Sequence, residues 1–355
     1  MKISAFILIT ILSCACAFGQ RTNCEALLDA IRSNNVERIK TIVKKQNTNC
    51  YFRGEEEPRS PMGVAASKGN IAVAKLLLNA GAEVTYKGRG DASALMIASS
   101  AGHLEMVKFL VENGAKVNRK LHGDGTALLK AAGRGHAKIV AYLIKKGANV
   151  DAKVEGDGTA LIVASAGDHY EVAKILLENG ADPNLGSDGD GNPMIHAMKS
   201  RNTKMMRLLI QYKADVNKGV EGDGSAMIQA ARSGNLEMIK ILVENGADVN
   251  KGVKGDGNAL IWAAAAGNMD MAKYLVSKGA DVNKHIQGDE TPLINAARHG
   301  RLAMVKYLVG KGADVNKSVR DGYFLNSEIR SPLSMARRGN HQEVIKYLLK
   351  KGAKK

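Results

Sequence analysis

Apolar residues along this 355-residue chain fall at helical spacing, and the arrangement itself recurs. Leu236, Ile239, Leu242 and Val243 put one apolar stripe on a helix. Ahead of it a shorter segment opens on Ser225-Ala226-Met227, as others open on Thr126-Ala127-Leu128 and Thr291-Pro292-Leu293. A hydroxyl in that place caps a helix, and Pro is tolerated in the first turn. A Gly between the two segments turns the chain, and a later Gly takes the left-handed conformation that ends the second helix. The chain then runs through Ala-Asp-Val-Asn to a Gly-Asp tip, which is turn chemistry. Each unit therefore reads as a helix, a turn, a helix and a finger loop.

The Gly-Asp tip returns at Gly90, Gly123, Gly156, Gly189, Gly222, Gly255 and Gly288, always 33 residues on. An Ala column shares the count, from Ala65, Ala98, Ala131 and Ala164 to Ala230, Ala263 and Ala296, and keeps the first helix slim enough to lie against its neighbours. Two insertions break the spacing, one around Tyr51-Phe52-Arg53-Gly54 and a seven-residue one around 321–330. One unit is off-pattern: Arg201 replaces the mid-repeat Gly, and Lys213 the Gly that ends the second helix. A left-handed non-Gly residue costs about 1 kcal/mol, which makes 189–220 the expected soft joint.

The unit Thr291-Pro292-Leu293, Ala296-Ala297, Gly300, Val305 to Leu308 and Gly312-Ala313-Asp314-Val315-Asn316 resembles an ankyrin repeat, whose period is 33 and whose signature is T-P-L-H-x-A. The resemblance covers roughly residues 24–353, and implies an all-α ankyrin-repeat solenoid of stacked helix-turn-helix units with short finger loops. Ala usually stands for the signature Pro and an apolar residue for its His, which implies more apolar contact between inner helices. The Gly-Asp-Gly-x-Ala-Leu variant is similar to ankyrin segments of bacterial exported proteins. The organisation expected is a leader at 1–19, a capping helix pair and insertion at 20–56, eight repeats at 57–317, and an insertion with a capping repeat at 318–355.

Residues 1–19 carry an early Lys2, an apolar run over 5–18 and small residues at Ala15, Ala17 and Gly19, the pattern of a cleaved secretory signal ending near Gln20. Lipid anchoring at Cys14 is an alternative, and so is a buried N-terminal helix. No later segment is long and apolar enough to span a membrane. Of four cysteines, Cys14 and Cys16 leave with the leader. The remaining pair, Cys24 and Cys50, reads as a disulfide across two antiparallel helices in a periplasmic or extracellular protein; two free thiols are the other reading. Net charge is +16, one unit less without Lys2, which favours acidic partners.

Catalytic signatures are missing from the sequence: there is no Gly-x-Ser-x-Gly, no His-Glu-x-x-His and no phosphate-binding glycine loop. His103, His136, His169 and His341 stand where second helices begin, a structural position. Asp188-Gly189-Asp190-Gly191-Asn192 opens like a calcium loop but lacks the closing Glu. No enzyme activity, metal or cofactor is expected. Positions that vary between repeats are free for recognition. One such column runs Val64, Ile97, Lys130, Val163, His196, Gln229, Trp262, Asn295, Met335, and contains the chain's one Trp. Another, just before the mid-repeat turn, carries Lys68, Arg134, Lys199, Arg232, Arg298, His299 and Arg338, with no acidic residue in either column. The ankyrin arrangement implies a basic concave groove there, with Asp at the finger tips. Tyr323 and Phe324, in the second insertion, are the expected loop contacts; folding over the last repeat as a cap is their other reading. The expected role is a monomeric protein-binding scaffold whose partner bears acidic or extended elements. The alternative is an exported polyanion binder for nucleic acid or acidic glycan, against which stands the lack of aromatics interleaved with the basic column.

Overall fold

A computed structural model describes residues 24–44, 48–50, 60–85, 93–121, 125–186, 191–219, 224–286, 289–320 and 329–354. The leader, Tyr51-Phe52 and Tyr323-Phe324 lie outside these. Among the described residues the architecture is all-α: short helix pairs follow one another, joined by finger loops. Two strands, Val319–Arg320 and Ile329–Arg330, pair antiparallel and frame the second insertion. The chain forms two compact units, Met1–Ala181 and Asp182–Lys355.

The repeat containing Trp262 illustrates the local logic. Asn258 caps the first helix, Ala259–Ala266, by accepting from the Ile261 N–H. Gly267 is left-handed at φ 77° and reverses the chain, and Asn268 then caps Met269–Ser277. The cap is Ser, Thr or Asn in every such repeat and is itself largely buried, as at Thr159, Asn192, Ser225 and Thr291. Buried caps satisfy helix-end N–H groups that water cannot reach. The Ala column is fully buried from Ala65 to Ala336. Within each unit first helices pack on first helices and second helices on second helices. Side chains such as Ile239, Leu242 and Leu275 lose all their exposure there, worth about 2 kcal/mol each.

The second-helix histidines have the structural role expected of them. His103, His136 and His169 each bring Nε2 to the backbone carbonyl 36 residues earlier, at Ser67, Ser100 and Gly133, over 3.0–3.2 Å. His341 Nε2 meets the Arg298 carbonyl at 2.9 Å, 43 residues earlier because of the insertion, and Arg301 takes over the role by donating to Ala265.

A second inter-repeat tie lies in the fingers, unforeseen in the sequence. Asn217, Asn250 and Asn283 each accept from the N–H of Asp248, Asp281 or Asp314 at 2.7–2.8 Å. Their amides donate to the carbonyls of Gly246, Gly279 and Gly312. Asn118 does likewise toward Asn149 and Gly147 in the other unit. Asn250→Ala removes two neutral hydrogen bonds and is expected to cost about 1–2 kcal/mol, read as a lowered urea midpoint of the Asp182–Lys355 unit.

Arg201 and Lys213 both adopt positive φ, 54° and 65°. The mid-repeat Gly is also replaced by Asp168, at φ 58°, a departure the sequence reading passed over; Asp tolerates this region better than Arg or Lys. Lys213→Gly is expected to stabilise the protein by about 1 kcal/mol. Amides of Thr203–Gln211 should exchange faster than those of Leu236–Glu244, and equal protection would contradict the assignment.

Candidate partner-binding site

The basic residues lie in two adjacent registers at the ends of first helices. Lys199, Arg232, Arg298 and Arg338 are the last residues of first helices, and Lys68, Arg134 and His299 are the C-caps that follow them. Cations there complement the helix dipole, so part of the column is explained without a partner. Lys68 and Arg134 belong to Met1–Ala181, and the others to Asp182–Lys355. All but Arg298 are exposed. The neighbouring variable column is half-exposed from Ile97 to Asn295, while Val64 and Met335 are buried.

Four of the expected residues come together. Arg232, Trp262, Arg298 and His299 line one pocket of about 480 Å³, with Asp256, Asp289, Glu290, Asn295 and Arg330. Trp262 forms a wall, and its indole Nε1 donates to the Asp256 carbonyl at 2.6 Å. The Arg232 guanidinium lies 4.5 Å from the Trp262 ring centre and pairs with the Asp256 carboxylate at 3.0 Å. Asp289 accepts from the Gly257 N–H at 2.8 Å. Burial pushes the Asp289 carboxyl above its ordinary range and the nearby Asp256 adds to this, against the pull of the Gly257 and Gly255 N–H groups and of Arg330.

Glu290 anchors the opposite side. It is only 4% exposed, and it is engaged by Arg298 through both Nε and Nη2 and by Arg330 Nη1 at 3.1 Å. Arg330 lies on the strand that returns from the second insertion, so one carboxylate ties a finger, a first helix and that strand together. The two columns contain no acid, but finger carboxylates reach into the pocket and pair with the column's arginines.

Glu290 and Arg330 were missed in the sequence, although Glu290 left a signal. It stands where Gly stands at Gly125, Gly158, Gly191, Gly224 and Gly257, all at positive φ. The Asp ladder ties adjacent structure together here: Asp256 holds Arg232, and Asp289 holds the Gly257 N–H. Among the described residues no cluster of His, Cys, Asp and Glu has a metal-binding arrangement, and no helix is long and apolar enough to cross a membrane.

Helical hairpins of constant period, tied through buried caps and finger amides, define a repeat protein of the solenoid class. Models of ankyrin repeats match residues 27–121, 95–187, 185–253 and 250–319, and a single-repeat model matches 330–355. The chain belongs to the ankyrin-repeat family. It is similar in structure to the human ASB11 ankyrin repeat domain, with a TM-score of 0.55 and 28% identity, over 62% of this chain and 98% of that one. No curated protein matches the chain in sequence. Ankyrin repeats generally mediate protein–protein contact, and the fold is typically a non-catalytic scaffold.

Proposed function

We propose that this protein is an exported, monomeric, non-catalytic scaffold that binds a protein partner along the exposed ends of its first helices and its fingers, centred on Trp262. One observation carries the reading. Three of the places where the sequence departs from its own period are the only Trp, a Glu in the Gly column, and the seven-residue insertion through Arg330. Side chains from all three line the same pocket. Repeated positions serve the stacking that every unit shares, so a cluster of unrepeated ones is evidence of recognition. A half-exposed Trp beside Arg is the composition of an interface hot spot. The leader-like first residues support export, and so does a Cys24–Cys50 bridge, which is typical of oxidising compartments.

The test is affinity capture from the exported fraction with the wild type and with Arg232→Glu/Trp262→Ala. This variant leaves Glu290 and its arginines intact, and far-UV circular dichroism checks its fold. A partner held by the wild type and lost by the variant is the expected result; equal recovery would sink the assignment. Binding that falls linearly in log salt without dependence on Trp262 would point instead to a polyanion.

A further inference from the structure

We propose that the Trp262 pocket is a receptor for an acidic side chain of the partner: its carboxylate meets Arg232 and Arg298, and an adjacent apolar side chain lies against Trp262. The inference rests on the scaffold reading and adds the chemistry of the ligand to it.

The order of the charges with depth decides the sign. The carboxylates sit at the back, Glu290 with 4% and Asp256 with 16% of the side chain exposed. Two of the three guanidinium side chains are more exposed, Arg232 with 36% and Arg298 with 34%, while Arg330 with 17% lies back with the carboxylates. An entering group therefore meets cations first. The buried acids hold those cations in place. Arg298 is gripped at two nitrogens by Glu290, and Arg232 is fixed between Asp256 and the face of Trp262. A guanidinium oriented beforehand loses less entropy when it binds a carboxylate. The formal charges of the pocket cancel, Arg232, Arg298 and Arg330 against Asp256, Asp289 and Glu290, so the sign is set by which charges an entering group meets.

A cationic ligand fits these contacts poorly. It would have to displace Arg232 from both Trp262 and Asp256, and Glu290 already serves two arginines. At about 480 Å³ the pocket holds one glutamate side chain and a neighbouring apolar group.

Trp262 is the one Trp in the chain, so its fluorescence reports on this pocket alone. The full chain is titrated with three N-acetylated, C-terminally amidated dipeptides, Phe-Glu, Phe-Gln and Phe-Lys, to tens of millimolar. The expected result is a saturable change with Phe-Glu, at an affinity about tenfold or more above Phe-Gln and Phe-Lys, since a charge-assisted hydrogen bond replaces a neutral one. Arg232→Gln should reduce the preference for Phe-Glu. Arg298→Gln, which leaves Glu290 paired with Arg330, removes the second cation and should do the same. Equal affinity for the three peptides, no saturable response, or a preference for Phe-Lys would each overturn the inference. If the partner is still lost from Arg232→Glu/Trp262→Ala, the scaffold reading stands without it. If the peptides are discriminated as expected but the variant captures the partner as well as the wild type, the pocket chemistry stands and the proposed partner site falls.

Discussion

Glu290→Ala is expected to lower the stability of the Asp182–Lys355 unit by about 2–4 kcal/mol, more than any other surface-proximal substitution considered above. Only 4% of Glu290 is exposed, and it carries the charge that faces both Arg298 and Arg330. Removing it leaves two guanidinium groups crowded together, with Arg330 only 17% exposed. Breaking a buried ion pair by deleting one partner costs far more than the net worth of the pair, because the remaining charge stays desolvated. The figure is set below the fully buried case because a third of Arg298 reaches water, which screens it. Glu290→Gln, which keeps the shape and one acceptor, should fall between Ala and the wild type. Urea unfolding followed by Trp262 emission is the suitable measurement, since that ring lies in the same pocket. Helix content followed by circular dichroism reports the whole array, which need not melt as one step. A midpoint shift worth less than about 0.5 kcal/mol for Glu290→Ala would show that the triad behaves as an exposed ion pair.

The chemistry of Glu290 also marks where sequence reasoning reaches its limit. Most of what the repeats restate was legible. The buried Ala column, the Ser and Thr caps, the left-handed Gly positions and the His contacts each appear several times in register, and each has one physical job. Three things were not legible, for three different reasons. The finger asparagines, Asn217, Asn250 and Asn283, recur at the repeat period from Asn184 to Asn316. Their composition is also that of an ordinary turn, and the bonds they make cross to the next repeat. Asp168 went unseen as a left-handed position because Asp is an ordinary turn residue that tolerates this conformation better than Arg or Lys. Arg298 was legible as a cation and as part of the site, but not as a paired one. Its carboxylate stands eight residues before it on a finger, and the second arginine on that carboxylate comes from a stretch that breaks the period. A repeat sequence displays its scaffold many times and its recognition features once. Those single features are found by subtracting the period, and their partners become visible only when the fold brings distant positions together.

Reduction of the Cys24–Cys50 bridge is expected to destabilise the N-terminal helix pair by about 3 kcal/mol, the other large effect. The two sulfurs join residues 26 apart, with Cα atoms 5.8 Å from each other, across the helices at 24–32 and Val36–Val43. A loop of that length loses considerable chain entropy when closed, and the bridge imposes the loss on the unfolded state. Its position adds to the effect. Among the described residues the first pair has a neighbouring repeat on one side only, and so has fewer contacts than an internal one. The segment beside Cys50 also docks the next repeat: Asn49 accepts from the Glu83 N–H at 2.7 Å and donates to the Gly81 carbonyl, while the Thr48 hydroxyl donates to the Ala80 carbonyl. Opening the bridge frees that segment to leave together with the helix that carries Cys24. Hydrogen exchange with and without dithiothreitol resolves the effect by position. Under reduction, amides of 24–32 and Val36–Val43 should lose roughly two orders of magnitude in protection, which is what 3 kcal/mol amounts to. Those of Leu236–Glu244 provide the internal reference, since coupling along a solenoid passes only through neighbouring repeats. Cys24→Ser/Cys50→Ser, measured without reductant, should reproduce the loss and so separate it from any action of the reagent. Unchanged protection of the first two helices would mean that their packing on the helix Ile71–Asn79 suffices, and that the bridge contributes little to the fold.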